Sequence, residues 1–107
     1  MQMSDKIVVL SACGSAEEAA SIARALMERR LAACVNIVPG VRSIYRWKGA
    51  VEEAQEWLLV IKSSQALFER LEEELRQAHS YETPEIVALP VVAGSASYLE
   101  WLSAELA

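Results

Sequence analysis

The only histidine of this chain, His79, opens a stretch of seven residues that also holds Tyr81 and two carboxylates, Glu82 and Glu85. An imidazole beside carboxylates can coordinate a divalent cation or exchange a proton near neutral pH. Two thiols, Cys13 and Cys34, are the other soft donors. Neither belongs to a Cys-x-x-Cys pair, so the common zinc and redox spacings are absent. A Cys13/His79 pair is also the one conceivable nucleophile and base. That chemistry needs an orienting group and an oxyanion site, and the sequence carries a signature for neither. No catalytic residue is assigned, and a binding role is expected instead of an enzyme. On residue types alone the stretch reads first as a helix-to-strand connector whose polar groups face water.

The elements around this stretch must position it. Behind it runs a segment with Leu67, Leu71, Leu75 and Ala78 one turn apart, a helix whose wet side carries Glu69, Arg70, Glu72, Glu73 and Glu74. Ser63 or Ser64 is the expected cap. Thr83 precedes Pro84, a position biased toward extended backbone, and the apolar run 86–92 follows as a strand. Nearer the start, Ile7 to Cys13 is apolar on both faces, as suits a central strand. Ser15-Ala16-Glu17-Glu18 then has the form of a capping box, opening a helix with apolar residues at 19, 22, 23, 26 and 27 that ends near Arg30. From Leu31 the period changes to two and holds to Trp47, with a bulge expected at Pro39-Gly40 and a turn at Lys48-Gly49. The return strand starts polar and finishes apolar, Trp57 to Ile61. A terminal helix carries Tyr98, Leu99, Leu102 and Leu106 on one stripe.

The resulting order, β-α-β-β-α-β plus a C-terminal helix, predicts an α+β, ferredoxin-like split βαβ sandwich with a long β2–β3 hairpin, in one domain over residues 1–107. That hairpin is too long for its own domain. Straight, Leu31 to Trp47 would reach roughly 56 Å, against a diameter of roughly 33 Å for a globule of this length. It must bend, project, or both, and the aromatics it carries, Tyr45 and Trp47, are the expected anchors between subunits.

Composition narrows the partners. Of 107 residues, 53% are hydrophobic and 23% charged, with a formal net charge of −5. No basic run exceeds Arg29-Arg30, so nucleic acid is not an expected partner. Met1 to Lys6 is short and polar and the next apolar run stops at Leu10, which fits neither a signal peptide nor a membrane span. A cytoplasmic protein is expected, with Cys13 and Cys34 as free thiols on neighbouring strands and Cys34 a small buried hydrophobe.

Several motifs together carry a resemblance: Leu-Ala-Ala-Cys-Val-Asn at 31–36, Ser-Ile-Tyr-Arg-Trp-Lys-Gly at 43–49, Glu56, Lys62, His79-x-Tyr-Glu-x-Pro-Glu-Ile at 79–86, and Tyr98-Leu-x-Trp101. In this order and spacing they resemble the CutA family, over nearly the whole chain. The resemblance implies a tight homotrimer with the long hairpins between subunits and a link to divalent-cation tolerance. It also implies copper binding in some bacterial members, no established catalytic activity, and a trimer similar to that of PII-like signalling proteins. Copper ligands described for the family are a cysteine at the end of the first strand and histidines just before the Tyr-x-Thr-Pro-Glu segment. Here His79 fills one histidine position, Ala78 stands at the other, and Ser11 matches the cysteine. With Cys13 two residues further on, the candidate metal set is His79, Cys13 and Glu82, for copper(II) or another divalent cation, with no required cofactor. The second candidate is an intersubunit cleft made by Glu56, Lys62, Tyr81, Glu82, Glu85 and Trp101, suited to a small anionic ligand. Alternatively, Lys62 and a glutamate form a structural ion pair across the trimer.

Overall fold

The computed structural model describes residues 4–107; the polar opening, Met1 to Met3, lies outside them. Within that range the chain runs β1 (Lys6–Cys13), α1 (Ala16–Glu28), β2 (Cys34–Trp47), β3 (Ala50–Ser64), a 3-10 turn (Gln65–Leu67), α2 (Phe68–Ala78), β4 (Val87–Pro90) and α3 (Ala96–Glu105). The four strands form one antiparallel sheet in the order β2-β3-β1-β4. This is the α+β, ferredoxin-like arrangement that the element order predicts.

Strand parity decides which side chains meet the helices. Val9 pairs with Ile61, and Ile61 with Val35, so all three point to one face. That face buries Ile7, Val9, Cys13, Leu59 and Ile61 against Ala19, Ile22 and Leu26 of α1 and Leu71 and Leu75 of α2. The opposite parity gives Val8, Leu10, Leu58, Val60, Val38, Val87 and Leu89, apolar side chains that are half-buried or exposed. At one end of this second face Lys6 borders a cleft together with Leu99 and Ser103 of α3.

The hairpin stretches the molecule. Its principal extents are 45 × 28 × 24 Å and its radius of gyration is 14.5 Å, above the ~13 Å of a round domain of this size. The bulge falls at Pro39-Gly40, between the pairs Val38↔Leu58 and Val41↔Glu56. At the tip Lys48 and Gly49 have φ of 49° and 82°, the two positive values that a tight two-residue hairpin turn requires. Ile44 and Val51, 65% and 64% exposed, are barer than the Tyr45 and Trp47 that the sequence singled out.

Several local expectations change. β2 begins at Cys34, not Leu31: Arg30 takes a left-handed φ of 56° and the Leu31 amide donates to Leu26 O. Leu31, Ala32 and Ala33 are therefore a buried turn. β3 lies between β1 and β2, so Cys13 and Cys34 are not on neighbouring strands; both are free. Cys34 is half-buried, with its sulfur 3.8 Å from Asn36 Oδ1. Neither Ser63 nor Ser64 caps the following helix with its side chain; Ser63 Oγ donates to Leu31 O at 2.7 Å. Ala78 is exposed, and the last strand spans only Val87–Pro90. In α3, Leu102 is buried while Tyr98 and Trp101 stay exposed, their rings 5.6 Å apart.

Candidate functional site

His79 sits at the C-terminal cap of α2, where its backbone turns from helical to extended (φ −84°, ψ 140°) and its amide still donates to Leu75 O. The turn drives the imidazole inward until its side chain is wholly buried. There Nε2 lies 2.7 Å from the carbonyl oxygen of Ala12, and Nδ1 accepts from the Tyr81 amide at 3.1 Å. A carbonyl can only accept and an amide N–H only donate. The ring is therefore neutral, with its proton on Nε2.

Beside it stand Cys13, from the end of β1, and Glu18, from the first turn of α1. One donor atom from each of Cys13, Glu18 and His79 lies within 4.8 Å of the other two, the one such set of three among the described residues. Glu18 is the residue that the sequence reading missed. Its pattern reads as half of a capping box, and Ser15 does cap α1, its hydroxyl accepting from the Glu18 amide at 3.1 Å. The Glu18 carboxylate does not reach back to Ser15. Its Oε2 instead accepts from the Ser80 amide at 3.0 Å, and its Oε1 is buried without a hydrogen-bond partner, 3.9 Å from His79 Nδ1. A buried carboxylate oxygen left unpaired is costly, and it is the feature of this cluster that a cation would relieve. Glu82, placed in the metal set by sequence, lines a separate cleft.

Burial, then the charges of Glu18 and Glu56, push the Cys13 thiol up to about 12. At neutral pH it is a protonated thiol, a poor nucleophile and a ligand only for an ion that displaces its proton. Ser11, the position matched to the family's cysteine, is fully buried on the same face with its hydroxyl unpartnered.

Tyr81 separates this cluster from the cleft. Its ring is 4.7 Å from the His79 ring, and its hydroxyl donates to Glu56 Oε2 at 2.9 Å. Burial first, and then that bond to Glu56, raise the phenol to about 12. The ring packs over Gly14 so closely that a Cβ there would lie 3.1 Å from the Tyr81 hydroxyl. Beyond Tyr81 opens a cleft of ≈ 630 Å³ lined by Tyr45, Trp47, Glu56, Tyr81, Glu82 and Glu85 among others. Of the residues expected to share a cleft, the chain thus brings together Glu56, Tyr81, Glu82 and Glu85. It does not bring Lys62 or Trp101 there. Lys62 pairs with Cys34 in register and its ammonium contacts Asn36 Oδ1, with no carboxylate partner among the described residues; Trp101 lies on α3.

Comparison with known proteins places these residues in context. The family model described as CutA1 divalent ion tolerance protein matches residues 7–105. The divalent-cation tolerance protein CutA of Thermus thermophilus is 55% identical over 95 residues, covering 89% of this chain and 92% of that one. The chloroplastic protein CutA of Arabidopsis thaliana is 46% identical over 90% of this chain, which spans only 53% of that relative's length. Among solved structures, CutA1 of Oryza sativa superposes with a TM-score of 0.94 at 39% identity, covering 98% of this chain and 96% of that one.

Proposed function

This chain belongs to the CutA1 divalent ion tolerance family, and from that premise we propose that it is a homotrimeric, cytoplasmic binding protein for divalent cations, copper(II) foremost, without a catalytic role. The observation that carries the proposal is the buried cluster of sulfur, carboxylate and imidazole donors, in which Glu18 Oε1 has no partner. Cys13, Glu18 and His79 would hold the ion, a mixed donor set that suits copper or zinc better than magnesium or calcium. Binding is modest, because His79 Nδ1 must give up the Tyr81 amide and Cys13 must give up its proton. The same two commitments argue against hydrolysis.

Assembly is supported by the apolar sheet face that the helices leave uncovered and by a hairpin whose Ile44, Tyr45, Trp47 and Val51 have too little of their own chain to pack on. The number three comes from the family resemblance. A cytoplasmic location accords with two thiols held apart on strands that do not neighbour each other.

Native mass spectrometry with and without copper(II) tests the proposal. A trimer carrying one metal per chain is expected, with the adduct weakened in Glu18→Gln and His79→Ala and strengthened as pH rises, since binding expels a thiol proton. Equal metal uptake in parent and both variants would leave only adventitious surface binding. The cleft beyond Tyr81, with Glu56, Glu82 and Glu85 on its walls, supports a second reading, a PII-like small-molecule sensor whose ligand sits between subunits.

A further inference from the structure

Two backbone N–H groups of one short loop already occupy donor atoms of the buried cluster. The Ser80 amide donates to Glu18 Oε2 at 3.0 Å, and the Tyr81 amide donates to His79 Nδ1 at 3.1 Å. Each brings a fixed partial positive charge to an atom that a cation would claim. Between them they leave Glu18 Oε1 over, buried and unpartnered.

A neutral imidazole has one lone pair to give. Its Nε2 is committed as a donor to the Ala12 carbonyl at 2.7 Å, the kind of bond that orients the far nitrogen of a metal-binding histidine. Nδ1 is therefore the coordinating atom, and its lone pair is the one that the Tyr81 amide uses. The amide and an ion cannot share it. Glu18 faces no such choice, because Oε1 is open while Oε2 keeps the Ser80 amide.

Yielding Nδ1 moves more than one hydrogen. A peptide unit is planar, so turning the Tyr81 N–H away carries the Ser80 carbonyl and the Tyr81 Cα with it. The Tyr81 side chain is fixed at its far end, where the hydroxyl donates to Glu56 Oε2 at 2.9 Å. The same hydroxyl packs over Gly14, leaving only 3.1 Å to the place of a Cβ. Amide and hydroxyl are thus the two ends of one strut between His79 and Glu56.

We propose that Tyr81 is a metal-released latch: its amide competes for His79 Nδ1, and occupancy of the cluster by a divalent cation frees both that amide and the Tyr81–Glu56 contact. The proposal rests on the metal reading of the cluster and adds a response to it. Tyr81 also lines the cleft that holds Tyr45 and Trp47, so its release carries the state of a buried site to the hairpin residues proposed to meet a neighbouring subunit.

The test uses the whole protein and zinc(II), a diamagnetic probe, with calorimetry for affinity and NMR hydrogen exchange read at single amides. With zinc bound, the Tyr81 amide should exchange about tenfold faster while the Ser80 amide keeps its protection. The imidazole nitrogen signals should place the metal on Nδ1 and the proton on Nε2. Tyr81→Phe removes the hydroxyl tie and keeps the ring, and should bind zinc about tenfold more tightly, the scale of one charged hydrogen bond. Gly14→Ala crowds the latched position at a backbone that is not left-handed, and should tighten binding in the same direction by less. A hydroxyl that only braces the site, or that ligates the ion, has the opposite sign: weaker zinc in Tyr81→Phe overturns the proposal, as does unchanged affinity in both variants. Zinc held on Nε2, or held while the Tyr81 amide stays protected, also overturns it and leaves the metal reading standing. No zinc bound by the parent chain overturns both.

Discussion

The two faces of the sheet are built from the same kind of residue and are treated in opposite ways. On one, Val9, Leu59 and Ile61 lie wholly out of solvent beneath α1 and α2. On the other, Val8, Leu10, Val60 and Leu58 are half-covered, and Val38, Val87 and Leu89 are bare. A one-sided antiparallel sheet normally turns polar residues toward water. Here alternation of polarity stops where the hairpin ends and the body of the sheet begins, so β1 and the second half of β3 are apolar on both sides. The difference shows that helices explain only half of the sequence. The other half has the composition of a face built to be covered.

The largest expected effect lies on the closed face. Leu71→Ala or Leu75→Ala removes a fully buried side chain, and should lower unfolding free energy by about 2–5 kcal/mol per chain in urea titrations. This loss belongs to the subunit's own core, so it should be alike at low and high protein concentration. Next comes the open face. Val60→Glu sits at the centre of that face, paired with Leu10 on one side and Asn36 on the other. In a lone chain the carboxylate would be hydrated at little cost. In an assembly it would be trapped unpaired, at several kcal/mol. Sedimentation equilibrium should therefore find the parent assembled at micromolar concentration and the variant dissociated. A variant that stays assembled would make the two faces equivalent, and the apolar face would need another explanation.

Much of this division was legible in the sequence. The two-sided apolar run Ile7 to Cys13 identifies β1 as central, and the alternation through Tyr45 and Trp47, broken at Pro39-Gly40, locates both the hairpin and its bulge. What was not legible depends on pairing order. A single helix separates Cys13 from Cys34 in sequence, yet β3 lies between their strands and pairs with both. Leu31 and Ala33 share the parity of the strand that follows, but they are buried together with Ala32 for a different reason, as a turn before the sheet begins. Glu18 was hidden by a local pattern that explains it fully. Only the fold, which brings Ser80 to its Oε2, shows that this carboxylate serves the loop after α2. The cleft was half legible: Glu56, Tyr81, Glu82 and Glu85 converge, while Lys62 shares the parity of Glu56 but lies roughly 20 Å further along β3.

The smallest effect comes from the thiol that the closed face buries. Cys13, on the closed face, is raised from 9.0 to about 12 by burial and by the charges of Glu18 and Glu56. Between those values the folded chain keeps a proton that the unfolded chain releases. Stability from this group is therefore complete below pH ~9 and declines as pH rises toward ~12. Tyr81 is raised from 10.0 to about 12 and acts in the same direction, but its decline starts a unit later. Urea midpoints of the parent should thus begin to fall near pH ~9. In Cys13→Ala the fall should begin nearer pH ~10, where Tyr81 takes over, whatever the variant's absolute stability. If the onset in Cys13→Ala stays where it is in the parent, the closed face does not hold its thiol apart from water.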